Sequence, residues 1–105
     1  MPSLNERWAR QRIRGMQDYI HDWANETFPE REFKTTMAKL VLEEIPEFMA
    51  APDDPGEFAD LVILIFDLAS MRGIDVYSAV AEKMHVNEQR TWKKDDTGLF
   101  YRHED

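Results

Sequence analysis

This 105-residue sequence predicts an all-α, four-helix bundle-like fold, on three observations. Apolar residues recur at three- and four-residue intervals over most of the chain, which is the period of a helix with one buried face. Prolines and glycines cluster between those stretches and divide the chain into four segments. No stretch shows the period-two alternation of a half-buried strand.

The first helix is expected over residues 4–25, with Trp8, Ile13, Met16, Tyr19, Ile20 and Trp23 at helical spacing. "ETFPERE" breaks the pattern at Pro29. The second is expected over residues 32–50, with Phe33, Met37, Leu40, Val41, Ile45 and Phe48 on one side. "APDDPG" then reads as a loop, in which Asp53 or Asp54 caps the next helix and Pro55 is its first residue. The third helix is expected over residues 55–71 and is stopped by Gly73. Asp75 can cap the fourth, which runs to about Trp92. Residues 93–105 read as a polar tail with an apolar clump at 99–101. With no internal repeat, one domain over residues 1–105 is expected.

The third helix is apolar nearly all round, from Leu61 to Leu68, and such a helix must be surrounded. Three partner helices from one small chain barely cover it. A homodimer or homotetramer is therefore expected.

Composition excludes several functions. The net charge is −8, from 13 basic and 21 acidic residues, which disfavours nucleic-acid binding. The longest apolar run, residues 61–66, is far too short to span a bilayer. The N-terminal stretch is charged and has no apolar run, so a cytoplasmic protein is expected. There is no cysteine, and His21, His85 and His103 are scattered, so zinc is disfavoured.

The acids are the informative residues. Glu44 and Glu47 are three apart and share a helix face, as do Glu57 and Asp60 on the next helix. A short loop makes these helices antiparallel neighbours, so the two pairs can face each other. Carboxylates brought together repel, and either basic residues or a hard divalent cation must neutralise them. A solvated face for Glu43, Glu44 and Glu47, and a helix-dipole role for Glu57, are the plainer readings. Asp60 and Asp67 fit such readings poorly, because apolar residues enclose both. Further on, Lys83, Asn87 and Arg90 fall on one helical stripe and suit phosphate contacts, unless they simply pair with Glu82 and Glu88. An acid cage and a basic row in one small domain together suggest a metal-bound polyphosphate.

These motifs resemble the MazG-like all-α nucleoside triphosphate pyrophosphohydrolases. The likeness is greatest to the small phage and prophage branch that acts on dATP and dGTP. The superfamily pattern EExxE…ExxD is matched by Glu43, Glu44 and Glu47 followed by Glu57 and Asp60. Its KxxxNxxR is matched by Lys83, Asn87 and Arg90, with Trp92 following, and "DWANETFP" is similar to the branch's N-terminal segment. The chain departs from the pattern in a short spacer of nine residues between Glu47 and Glu57, and in Pro46. The proline removes a helical hydrogen bond and crowds the carbonyl of Leu42, which predicts a kink.

The resemblance implies hydrolysis of a deoxynucleoside triphosphate, dGTP and/or dATP, to the monophosphate and pyrophosphate. It implies Mg²⁺, with Mn²⁺ as a substitute, held by Glu44, Glu47, Glu57 and Asp60. Glu43 would orient water or support the ligands. Lys83, Asn87 and Arg90 would hold the phosphates, and Lys83 would also stabilise charge developing in the transfer. Trp23, Phe28 and Trp92 are candidates for base stacking, or else core. Asp67 either reads a guanine edge or caps an interface network. The same chemistry on dUTP, dCTP or another nucleotide, and a non-catalytic helical interaction protein, are the alternatives.

Overall fold

A computed structural model describes residues 3–94 and 96–102, with the side chains of 100–102 left aside. Asp95 and the last three residues of the expected tail, His103 among them, lie outside the described residues. The fold is all-α in its body. Helix α1 (Leu4–Thr27) begins in a reciprocal cap: Ser3 Oγ accepts from the Glu6 amide at 3.1 Å, and the Glu6 carboxylate accepts from the Ser3 amide.

The expected second helix is a continuous rod in three parts. These are α2 (Phe33–Lys39), a π-helical turn (Leu40–Glu44) and α3 (Ile45–Ala50). In the turn, the Ile45 amide donates to the Leu40 carbonyl, an i→i+5 bond. The turn directly precedes Pro46. A proline in a rod this long cannot donate and clashes with the carbonyl four residues back, and widening the preceding turn relieves that crowding. The structure thus answers the proline with a widened turn directly before it.

Asp54 rather than Asp53 caps α4 (Pro55–Met71), accepting from the Gly56 amide at 2.9 Å. Gly73 follows at φ +67°, a left-handed conformation that glycine adopts without strain. Asp75 caps α5 (Val76–Gln89). That helix stops short of the expected end at Trp92. Arg90 is already extended, and Trp92–Lys94 (β1) pairs antiparallel with Phe100–Arg102 (β2), Trp92 opposite Arg102. Part of the expected polar tail is therefore a hairpin. Aromatic Trp92 favours a strand, and Gly98, at φ +86°, follows the turn at 96–97.

Helix α4 is the spine. α1 runs antiparallel to it, setting Gln17 beside Ser70 and His21 beside Asp67. The rod also runs antiparallel, from Phe33 under Arg72 to Phe48 against Phe58. Ile20, Ala24 and Leu68 form the buried apolar centre. Buried Gln17 ties the α4–α5 turn to α1. Its amide nitrogen donates to Ser70 Oγ (3.0 Å) and the Ile74 carbonyl (2.8 Å), and its oxygen accepts from the Val76 amide (2.9 Å). Gln17→Ala strands these partners, and a loss of about 2 kcal/mol is expected in a denaturant titration.

The spine is not surrounded. Val62 and Ile65 stay 44% and 49% exposed, and Phe58, Val41 and Leu42 are exposed as well. The chain exposes 8480 Å², against roughly 6,100 Å² for a compact monomer of this mass. Its radius of gyration is 16.4 Å, against about 13 Å.

Candidate active site

Two elements bring the acids together. Glu44 ends the π turn, and Glu57 and Asp60 occupy the start of α4 beside it. One carboxylate oxygen from each lies within 4.8 Å of the other two. Glu44 is buried, and its Oε2 and the Oε2 of Glu57 are both enclosed with no hydrogen-bond partner. Enclosed carboxylate oxygens without donors are costly, and a cation is what such oxygens suit. The donor set is all oxygen, which fits Mg²⁺ or Mn²⁺ and not zinc.

Glu47 is exposed next to this cluster. The charge of Glu44, then burial, then the charge of Glu57 push its pKa up. The Glu57 carboxyl is also pushed up, by burial first and then by Asp54, Asp60 and Glu44. Glu43 is not among the three and is exposed, held by Lys39 Nζ at 2.7 Å. The same ammonium reaches Glu44 Oε1 at 3.2 Å. Sequence reasoning missed Lys39.

Beside the acids is a cavity of about 330 Å³ between α1, α2 and α4. Trp23 and Phe28 form one wall, edge to face with ring centroids 5.6 Å apart. Ile63 and Leu64 form another, Thr35 and Thr36 contribute hydroxyls, and Lys39 stands where the cavity meets the acids. Trp92 is elsewhere, its indole N–H donating to the Asn87 carbonyl at 2.9 Å. Asp67 lines the cavity, but both of its oxygens are engaged. Arg31 Nε donates to Oδ2 at 2.7 Å, Arg31 Nη2 reaches Oδ1 at 2.8 Å, and His21 Nδ1 lies 3.0 Å from Oδ1. Burial pushes the Asp67 carboxyl up, but the Arg31 and His21 hydrogen bonds and charges outweigh it and hold the pKa below its ordinary value. Asp67 thus anchors a network within the chain. Arg31 was also missed; an acid enclosed by apolar residues was the signal that a buried cation had to exist.

The basic row is not brought to this place. Lys83 and Asn87 lie on α5, while Arg90 has left the helix. Asn87 Oδ1 is enclosed without a partner. α5 packs on the N-terminal half of α1, with Arg10 over the Tyr77 ring at 5.4 Å. Among the described residues it makes no comparable contact with α2, α3 or α4. The cavity lies against the opposite, C-terminal half of α1.

The family model for dATP/dGTP pyrophosphohydrolases matches residues 16–103. A dATP/dGTP diphosphohydrolase of Salmonella phage PMBT28 is 42% identical over 86 residues, covering 82% of this chain. The chain spans only 30% of the length of that relative. The dATP/dGTP diphosphohydrolase of Cyanophage S-2L is 41% identical over 87 residues, covering 81% of this chain and 82% of the relative. A solved structure of the Cyanophage S-2L MazG-like pyrophosphohydrolase, bound to dGDP and three catalytic Mn²⁺ ions per active site, superposes with a TM-score of 0.77. It is 38% identical, and the match covers 88% of this chain and 97% of that one. With the acids gathered at the start of α4 and a nucleoside-sized cavity beside them, the chain belongs to the MazG-like dATP/dGTP pyrophosphohydrolase family.

Proposed function

We propose that this protein hydrolyses dGTP and/or dATP to the monophosphate and pyrophosphate. The observation that carries this reading is the juxtaposition of partnerless carboxylate oxygens with an apolar, aromatic-walled cavity. Glu44, Glu57 and Asp60 would hold the divalent ion, Mg²⁺ or Mn²⁺, with Glu47 as the neighbouring fourth carboxylate. The ion would neutralise the triphosphate and polarise a phosphoryl oxygen. Trp23 and Phe28 would offer apolar faces to the base, and the Arg31–Asp67 pair would fix the polar end of the cavity. Glu43, paired with Lys39, would support the cluster. The test is pyrophosphate release from a panel of deoxynucleotides with Mg²⁺ and with Mn²⁺. Release from at least one purine nucleotide is expected; none from any nucleotide, with folding and metal binding verified, overturns the reading.

We further infer a homo-oligomer, a dimer or a tetramer. The exposed ridge of α4 and a surface roughly 2,400 Å² larger than that of a compact monomer leave ample area for a subunit interface. The acid cage and the basic row give a second reason. Asp60 and Met71 are about 16 Å apart along α4, and α5 then continues on the N-terminal half of α1. Lys83, Asn87 and Arg90 would therefore serve the phosphates held by the acids of a second copy.

A further inference from the structure

The most instructive side chain that the family motifs leave unassigned is Lys39. An α-helix turns about 100° per residue, which places a residue five positions on roughly 140° away, off the shared face. Lys39 would then meet Glu43 and miss Glu44. The π turn changes this, because a turn closed by i→i+5 bonds brings the fifth residue round to the same side. One ammonium consequently spans both acids, at 2.7 Å and 3.2 Å.

Three further observations give this contact a direction. Glu44 is shared: Oε1 faces Lys39, while the enclosed, partnerless Oε2 belongs to a side chain only 9% exposed. Glu44 also contributes to the cluster with Glu57 and Asp60. The Lys39 side chain is 51% exposed on a flexible four-carbon stem, so little packing holds it where it is. It also lines the cavity at the border with the acids. A nucleotide with its base in the cavity and its phosphates at the acids must pass this ammonium.

We propose that Lys39 is a substrate-binding residue held in reserve, a resident counter-ion of Glu43 and Glu44 that swings onto the phosphate chain when nucleotide and divalent ion arrive. An ion on Glu44 weakens that acid's hold on Lys39 and repels the ammonium. The phosphate chain supplies a better partner at the same border. The inference rests on the pyrophosphohydrolase reading.

Lys39→Met keeps the stem and removes the charge, and Lys39→Arg keeps the charge. Two readouts move in opposite directions. Mn²⁺ binding without nucleotide, followed by electron paramagnetic resonance of the free ion, is expected to tighten about threefold to fivefold in Lys39→Met, because a competitor is gone. KM for the preferred nucleotide is expected to rise about 10- to 100-fold, with a smaller change in kcat, and Lys39→Arg is expected to recover most of it. A Lys39→Met protein with unchanged KM, or with weaker Mn²⁺ binding, overturns the proposal. Failure of the underlying reading is distinguishable, since wild-type protein would then release no pyrophosphate.

Discussion

Asp67→Asn is expected to lower the stability of the fold by about 3 kcal/mol, with a fall in Tm of roughly 10–15 °C. The Asp67 side chain is 4% exposed and Arg31 13%. Arg31 grips both carboxylate oxygens. An amide keeps one acceptor but turns an N–H₂ toward the guanidinium and leaves Arg31 buried without its counter-charge. The pH dependence carries the same signature. Because the Asp67 pKa is held down in the fold, its stabilisation is complete above the ordinary carboxylate range and is lost as pH falls through the depressed value. Thermal melts of wild type and variant should therefore converge as pH falls below about 4. Turnover of dGTP and dATP, measured below the melting range, is expected to fall together. A selective loss on dGTP would instead assign the carboxylate to the guanine edge.

Glu44→Gln is expected to lower kcat by roughly 10³-fold, the several kcal/mol that a Lewis-acidic ion contributes. Glu44 is the buried member of the cluster and the one whose removal leaves Glu57 and Asp60 without their third oxygen. Lys83→Ala should be impaired for a different reason, through the phosphates. The sharper result comes from unfolding and refolding the two variants together. If each site takes its acids from one copy and its basic row from another, a mixed pair contains one site with both intact. Random assortment into symmetric dimers then restores roughly a quarter of wild-type activity. Pyrophosphate release no greater than the sum of the two parents would place the whole site in a single chain.

Local rules made much of this fold legible. Asp54, Pro55, Gly73 and Asp75 mark helix ends because caps and breakers act within a few residues. The acid pairs were legible for the same reason, as three-residue spacing survives in Glu57 and Asp60 on one regular helix. Arg31 was hidden because its partner is 36 residues away and nothing in spacing pairs them. Lys39 was hidden because helical periodicity assumes an even turn, and the turn after it is wider. Trp92 looked helical because the pairing that makes it a strand comes from residues beyond the turn at 96–97.

A π turn is, in effect, one residue too many carried inside an α-helix. Were the same residues wound as an ordinary α-helix through this point, that extra residue would have to be absorbed as rotation. Everything before the turn would then rotate by about 100° relative to α3. Lys39 would leave the border of the cavity while Glu47 and Phe48 kept their places. The width of this turn, rather than any one of its side chains, sets the angular register between the cavity-facing half of the rod and its acid-bearing half.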